Sequence, residues 1–123
     1  MKEMLNIKRK IEKPWGYEII WAETSDYVGK LLYIKEGSRL SLQYHEHKEE
    51  TIMVLSGRLE LVVSKASAKR GMETLILEEG ETFHVRPHTI HRFCATQGGD
   101  VQLVEVSTNY LEDVVRIEDD FNR

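Results

Sequence analysis

Several features that define whole classes of protein are scarce in this chain of 123 residues. Cys94 is the single cysteine, which excludes an internal disulfide and suits a reducing compartment. No apolar run approaches the roughly 20 residues of a membrane span, and the charged start MKEMLNIKRK lacks the apolar core of a signal peptide. A net charge of -4 offers no basic surface for nucleic acid. We therefore expect a cytoplasmic protein with neither a nucleic-acid nor a membrane partner.

What the chain does contain is typical of one folded domain. Hydrophobic residues make up 41% and charged residues 31%, which argues against disorder. The length fits one core but not two, so residues 1–123 are predicted to form a single domain. Residues 1–12 are charged and weakly patterned, and we interpret them as an N-terminal arm that is either loose or an edge strand.

The rest of the chain alternates short apolar and aromatic runs with turn residues. We count about nine or ten such runs, with turn signals every 8–12 residues, which predicts an all-β sandwich or small barrel. The polar and basic stretch 65–71 is predicted to be a loop. In the tail 111–123, apolar residues recur at helix-like intervals, which predicts a short helix or a turn.

All five histidines fall into two clusters, and the first lies in QYHEHKEETIMVLSG at 43–57. Side chains alternate faces along a strand, so His45 and His47 are expected to point the same way. Glu50 has the opposite parity, and it can join them only if the chain turns near Lys48 and begins a new strand. A metal could then be bound where the two strands meet.

The second cluster, in ETFHVRPHTIHRF at 81–93, offers His84, His88 and His91 as further ligands. A lone histidine is more often a surface or hydrogen-bonded residue than a ligand, but the clustering of all five favours a site. Imidazoles with one carboxylate form a mixed nitrogen and oxygen site, suited to Zn, Fe, Mn, Ni or Co rather than to thiolate chemistry.

The spacing in both clusters resembles the two motifs of the cupin superfamily. The matching residues are His45, His47, Glu50 and Gly57 in the first motif and Gly80, Pro87 and His91 in the second. The resemblance implies a cupin double-stranded β-helix, a small jelly-roll barrel. It also implies one divalent metal per chain, with zinc favoured, held by His45, His47, Glu50 and His91. Arg86 and His88 depart from the proline and glycine that are common in the second motif.

Further segments narrow the resemblance and cover nearly the whole chain. They are KPWG at 13–16, LSLQYHEH at 40–47, LSG at 55–57, TIHRF at 89–93 and VVRIEDDFNR at 114–123. These are similar to the cupin domain of type II mannose-6-phosphate isomerases, which in many proteins follows a sugar-nucleotide pyrophosphorylase. The resemblance implies a metal-dependent aldose–ketose isomerase that interconverts mannose 6-phosphate and fructose 6-phosphate. Guanylyltransferase activity is not expected, because 123 residues cannot contain that second domain.

Two other functions remain open at this level, because a fold does not fix a function. One is an iron-dependent oxygenase with the same ligands, and the other is a non-enzymatic sugar-binding or regulatory cupin. The partners expected from the resemblance are a small-molecule sugar phosphate and a second copy of the chain in a homodimer.

The isomerase reading requires a proton-transfer group and a phosphate-binding group. His84 and His88 are the spare imidazoles and the candidate catalytic residues, although His84 would face outward if Phe83 and Val85 fill the core. Arginine and lysine match phosphate oxygens, and Gln43 shares the parity of His45. The candidate substrate-binding residues are Gln43, Arg39, Arg92 and Lys48.

Overall fold

Twelve β-strands make up the regular structure of this protein in a computed structural model, which describes residues 8–64 and 71–123. No helix occurs in that part of the chain. The strands are β1 Arg9–Lys13, β2 Gly16–Glu23, β3 Val28–Ile34, β4 Ser38–Arg39, β5 Leu42–Tyr44, β6 Glu50–Ser56, β7 Leu59–Ser64, β8 Met72–Leu77, β9 Thr82–Val85, β10 His91–Ala95, β11 Val101–Ser107 and β12 Val115–Glu118. Most of the predicted loop 65–71 lies outside the described residues.

The strands form two antiparallel sheets that face each other. The first sheet has the order β1-β2-β3-β11-β6-β9, and the second has the order β12-β5-β10-β7-β8, with β4 also paired to β10. Strands far apart in sequence therefore lie side by side, as β3 and β11 do. This is the connectivity of a jelly roll, and the predicted all-β double-stranded β-helix is confirmed.

Alternating side chains fill the space between the sheets. Inward positions of β6 and β11 carry Ile52, Val54, Val101 and Leu103, all without solvent exposure. Trp15 of the KPWG turn joins the same core cluster. Gly16 follows it because any Cβ there would collide with the carbonyl oxygen of Tyr33 on β3. The apolar core occupies one end of the interior, which leaves the other end for polar groups.

The N-terminal end matches one of its two predicted alternatives, whereas the C-terminal end differs in part from its prediction. Strand β1 pairs with β2 in register, so the described part of the arm is an edge strand. The tail begins with a turn at 111–112, which was one of the two predicted alternatives, and continues as strand β12, which was not predicted; no helix forms there. Backbone pairing of β12 with β5 overrides the helix-like spacing of the tail. Phe121 then packs against the core.

Candidate metal centre

Three buried side chains converge at the polar end of the interior. His45 follows β5, Glu50 opens β6 and His91 opens β10. One ligand atom from each lies within 4.8 Å of the other two. Their relative exposures are only 4%, 2% and 2%, so water is largely excluded from the cluster. Two imidazoles and one carboxylate form a donor set that suits a borderline divalent cation.

The two imidazoles are oriented by bonds on their far sides. His45 donates from Nδ1 to the carbonyl oxygen of Asp113 at 2.6 Å, and His91 donates from Nδ1 to that of Thr89 at 2.9 Å. These bonds fix the tautomer in which each Nε2 is free to bind a metal. Burial also lowers the pKa of His45, which favours the neutral form that a metal requires.

The spacing of the donor atoms fits a bound cation. His91 Nε2 lies 3.5 Å and His45 Nε2 lies 3.9 Å from oxygens of Glu50. Metal–nitrogen bonds of about 2.0–2.1 Å place tetrahedral ligands about 3.4 Å apart. Glu50 is ionised and buried with both imidazoles beside it, so its oxygens can bind a cation together with the two Nε2 atoms. The residues present therefore fit a divalent metal.

Gln43 is the polar side chain best placed to complete this centre. It lies directly across from His91 in the second sheet, and it lines the same cavity. Its amide nitrogen donates to Ser41 Oγ at 2.8 Å, which leaves the amide oxygen as the atom available to a ligand. Gln43 and His45 share the strand parity expected of them, so the sequence placed Gln43 correctly beside the centre.

His47 is the predicted ligand that the structure does not bring to the cluster. Strand β5 ends at Tyr44, so the alternation that related His45 to His47 stops before it reaches His47. The Asp113 carboxylate accepts the backbone N–H groups of Glu46, His47 and Lys48, which curls this stretch into a turn. The His47 ring is consequently exposed and packs against Tyr110, with 5.7 Å between ring centroids.

The same turn points Lys48 inward, where it joins buried carboxylates. Its Nζ lies 2.9 Å from Glu50 Oε2 and 3.0 Å from Glu105 Oε2. Burial lowers the pKa of Lys48, but the charges of Glu105 and Glu50 outweigh burial and raise it above its ordinary value. Burial raises the pKa of Glu50, but the Lys48 charge together with the contacts of His91 and His45 outweighs burial and holds the pKa low. Burial, with the neighbouring Glu50 charge, raises the pKa of Glu105.

A second buried ion pair adjoins this group. Lys30 Nζ lies 3.4 Å from both carboxylate oxygens of Glu18, and both side chains are 9% exposed. Sequence reasoning missed Glu18, Lys30 and Glu105. Each carries a charge at a strand position in phase with apolar residues, as Glu105 is with Val101 and Leu103. A charged residue at an inward position was the signal that could have identified them.

These groups line a cavity of about 110 Å³ that extends from the metal cluster to the protein surface. Its deep end holds the ligands, Lys48 and Glu105. Towards the surface its walls carry three cationic side chains, which are Lys13, Arg116 and Arg123. The cavity is thus acidic and imidazole-rich inside and basic at its mouth.

The predicted catalytic histidines lie outside this cavity. His84 is exposed on β9 and contacts the Glu49 carboxylate, while Val85 beside it is buried. His88 is exposed in the turn before β10, with a φ of 66° in the left-handed region. That conformation explains why glycine is common at this position in the motif. The geometry therefore supports neither His84 nor His88 as the proton-transfer group.

The four predicted substrate-binding residues divide into two pairs. Gln43 and Lys48 line the cavity. Arg39 lies on the outside and pairs with Asp120, at 2.7 Å from Nε to Oδ2. Arg92 points away from His91, as strand alternation requires, and its Nε donates to the carbonyl oxygen of Leu40 at 2.8 Å. Arg39 and Arg92 therefore hold the fold together and do not face the cavity.

Comparison with solved structures identifies the class of fold. The capsular polysaccharide assembling protein CapF from Staphylococcus aureus aligns with a TM-score of 0.78 at 13% identity, over 91% of this chain and 34% of that one. Oxalate decarboxylase OxdC from Bacillus subtilis aligns with a TM-score of 0.74 at 16% identity, over 89% and 30%. Such identities establish the fold alone. The fold that these structures share with the chain is a double-stranded β-helix.

Sequence comparison identifies the family. The chain belongs to the mannose-6-phosphate isomerase C-terminal family, whose model matches residues 1–119. It is 35% identical over 119 residues to xanthan biosynthesis protein XanB of Xanthomonas campestris, which covers 94% of this chain and 24% of that protein. It is 32% identical over 124 residues to mannose-1-phosphate guanylyltransferase ManC of Salmonella typhimurium, which covers 96% and 24%.

The chain thus spans about a quarter of the length of the curated relatives that it matches. Activities named for those longer proteins do not transfer to it directly. In the described residues, no helix is long and apolar enough to cross a membrane.

Proposed function

We propose that the protein is a divalent-metal-dependent aldose–ketose isomerase that interconverts mannose 6-phosphate and fructose 6-phosphate. The observation that carries this proposal is the buried His45–Glu50–His91 cluster at the deep end of a cavity with a basic mouth. The family description names a mannose-6-phosphate isomerase, and ManC is named for mannose 1-phosphate. Both names support a phosphorylated mannose as the substrate.

The reaction moves a proton between C1 and C2 and needs the two oxygens on those carbons to be held. A metal bound by His45, Glu50 and His91 would supply Lewis-acid polarisation of the carbonyl, and we favour zinc for these nitrogen and oxygen donors. Gln43 would offer its amide oxygen at the same place. With a substrate filling the cavity, the buried walls would shield an enediol from water.

Glu105 is the residue to which we assign the proton transfer. It lines the cavity, and Lys48 lies between it and Glu50 at 3.0 Å and 2.9 Å. The ion pair with Lys48 holds this carboxylate at the cavity, where a substrate could contact it. Of the cavity carboxylates outside the metal cluster, Glu105 is the one that shares the Lys48 ammonium with Glu50. Lys48 would hold Glu105 in position and donate to a substrate oxygen.

Glu105→Gln tests this assignment, because it keeps the shape of the side chain and removes its basicity. We expect kcat for mannose 6-phosphate to fall by about 10²–10⁴-fold, the usual contribution of a positioned base, while metal content stays at one per chain. Glu49→Gln, which changes an exposed carboxylate on the outer face, is the matched control and should leave kcat unchanged. Full activity in Glu105→Gln would refute the role of Glu105.

A further inference from the structure

We propose that Arg116, assisted by Lys13, forms an anion subsite at the cavity mouth that binds the phosphate group of the substrate. The inference rests on the proposed function, since it takes the metal cluster as the place where the sugar carbonyl binds. Neither residue was a candidate by sequence, because both are distant in the chain from the histidine clusters.

The register of the second sheet orients Arg116. It lies directly across from Gln43 on β5, and Gln43 lies directly across from His91 on β10. Residues directly opposite each other in antiparallel strands carry their side chains on the same face. Gln43 and His91 face the cavity, and Arg116 lines it with them. Strand pairing therefore holds the guanidinium on the cavity side, although Arg116 lies far from the histidine motifs in sequence.

The distance between this subsite and the metal ligands suits the length of a sugar phosphate. Arg116 and His91 are two strand spacings apart, which is about 10 Å between backbones. A six-carbon sugar with a terminal phosphate is an elongated molecule of comparable length. With C1 and C2 at the metal ligands, its phosphate would reach the wall that Arg116 occupies.

The balance of charge at the mouth favours Arg116 as the principal anion contact. Arg123 is held by Asp119, at 2.9 Å from Nε to Oδ2, and Lys13 Nζ lies 3.8 Å from Glu18 Oε1. Across residues 8–64 and 71–123, no carboxylate lies within ion-pair distance of Arg116. Its planar fork can bond two phosphate oxygens at once. Lys13 adds a second charge, and Arg123 a weaker one.

The test measures binding of mannose 6-phosphate and of unphosphorylated mannose to the metal-loaded protein by calorimetry. In Arg116→Gln we expect mannose 6-phosphate to bind at least tenfold more weakly, with mannose affinity and metal content unchanged. Lys13→Gln should show a smaller loss of the same kind. Arg86→Gln removes an exposed arginine outside the cavity, and it should bind both sugars as the unaltered protein does.

The outcomes separate this inference from the proposed function. One outcome is that mannose 6-phosphate binds the unaltered protein, binds Arg116→Gln more weakly and is not isomerised. That outcome supports the subsite and refutes the isomerase. Turnover with an unchanged KM in Arg116→Gln refutes the subsite and keeps the isomerase. Equal losses in Arg116→Gln and Arg86→Gln also refute it, because they would show a general effect of surface charge.

Discussion

Asp113 ties the C-terminal segment to the metal centre, so we expect removal of its carboxylate to weaken metal binding. One carboxylate oxygen accepts the N–H of Glu46 at 3.0 Å, and the other accepts those of His47 and Lys48 at 2.7 and 2.9 Å. Its backbone carbonyl accepts the Nδ1–H of His45. One residue thus shapes the turn that delivers His45 and Lys48 and also orients the His45 ring.

The expected magnitudes follow from these bonds. Burial raises the pKa of Asp113, but the three N–H bonds outweigh it and hold the pKa at about 2, so the carboxylate is ionised at neutral pH. Removing such a backbone cap costs about 0.5–2 kcal/mol of stability. Asp113→Ala keeps the backbone carbonyl that accepts the Nδ1–H of His45 but releases the turn that holds it there, and loss of an outer-shell contact weakens metal binding by about 10–100-fold. We therefore expect Asp113→Ala to bind zinc about 10–100-fold more weakly, and Asp113→Asn to be intermediate.

The assay is competition for zinc with a chromophoric chelator, together with denaturant unfolding of each variant. Asp100→Ala is the control, because Asp100 also organises a turn, accepting from the Tyr33 hydroxyl and the Glu36 N–H, but lies outside the metal cavity. It should lose stability and keep its zinc affinity. The reasoning is refuted if Asp113→Ala binds zinc within twofold of the unaltered protein, or if Asp100→Ala loses as much affinity.

Three other predictions follow from the structure. His91→Ala should abolish stoichiometric metal binding while His47→Ala and His84→Ala retain it, as measured by elemental analysis after dialysis; retention in His91→Ala would contradict the assigned cluster. Gly57→Ala should lower the free energy of unfolding by about 2 kcal/mol in denaturant titration, because φ is 87° and a Cβ would collide with the Asp100 carbonyl. An unchanged unfolding midpoint would contradict this by showing that the turn can shift. Burial raises the pKa of Asp119, but the bonds from Arg123 outweigh burial and lower the pKa to about 2. The stability that this carboxylate adds is therefore complete above pH 3.8, its ordinary pKa, and is lost as the pH falls towards 2. The stability difference between the unaltered protein and Asp119→Asn should therefore close over that range, and a gap that persists at pH 2 would contradict it.

Short-range sequence patterns predicted those features of this protein that depend on interactions between residues close in sequence. Short apolar runs separated by turn residues predicted an all-β fold correctly, and motif spacing identified His45, Glu50 and His91 together. The structure places His47 apart from the cluster because the end of a strand depends on a distant group, the Asp113 carboxylate. The tail became a strand for the same kind of reason, since its partner β5 lies far away in sequence.

The polar lining of the cavity was harder to foresee. Glu105, Lys30 and Glu18 come from three strands of one sheet, and only the folded register makes them neighbours of the metal ligands. Arg116 likewise acquires its place through pairing across two strands. Such groups can be identified from sequence as charged residues at strand positions that alternate in step with buried apolar residues. Their partners cannot be assigned without the topology.

The measurement that tests the central claim most directly is isomerisation of mannose 6-phosphate by protein of known metal content. The claim is that His45, Glu50 and His91 hold one divalent metal that supports conversion to fructose 6-phosphate. We predict turnover by metal-loaded protein, its loss after chelation, and its recovery when stoichiometric metal is restored. Protein that carries one metal per chain but produces no fructose 6-phosphate would contradict the account, as would turnover that persists after all metal is removed.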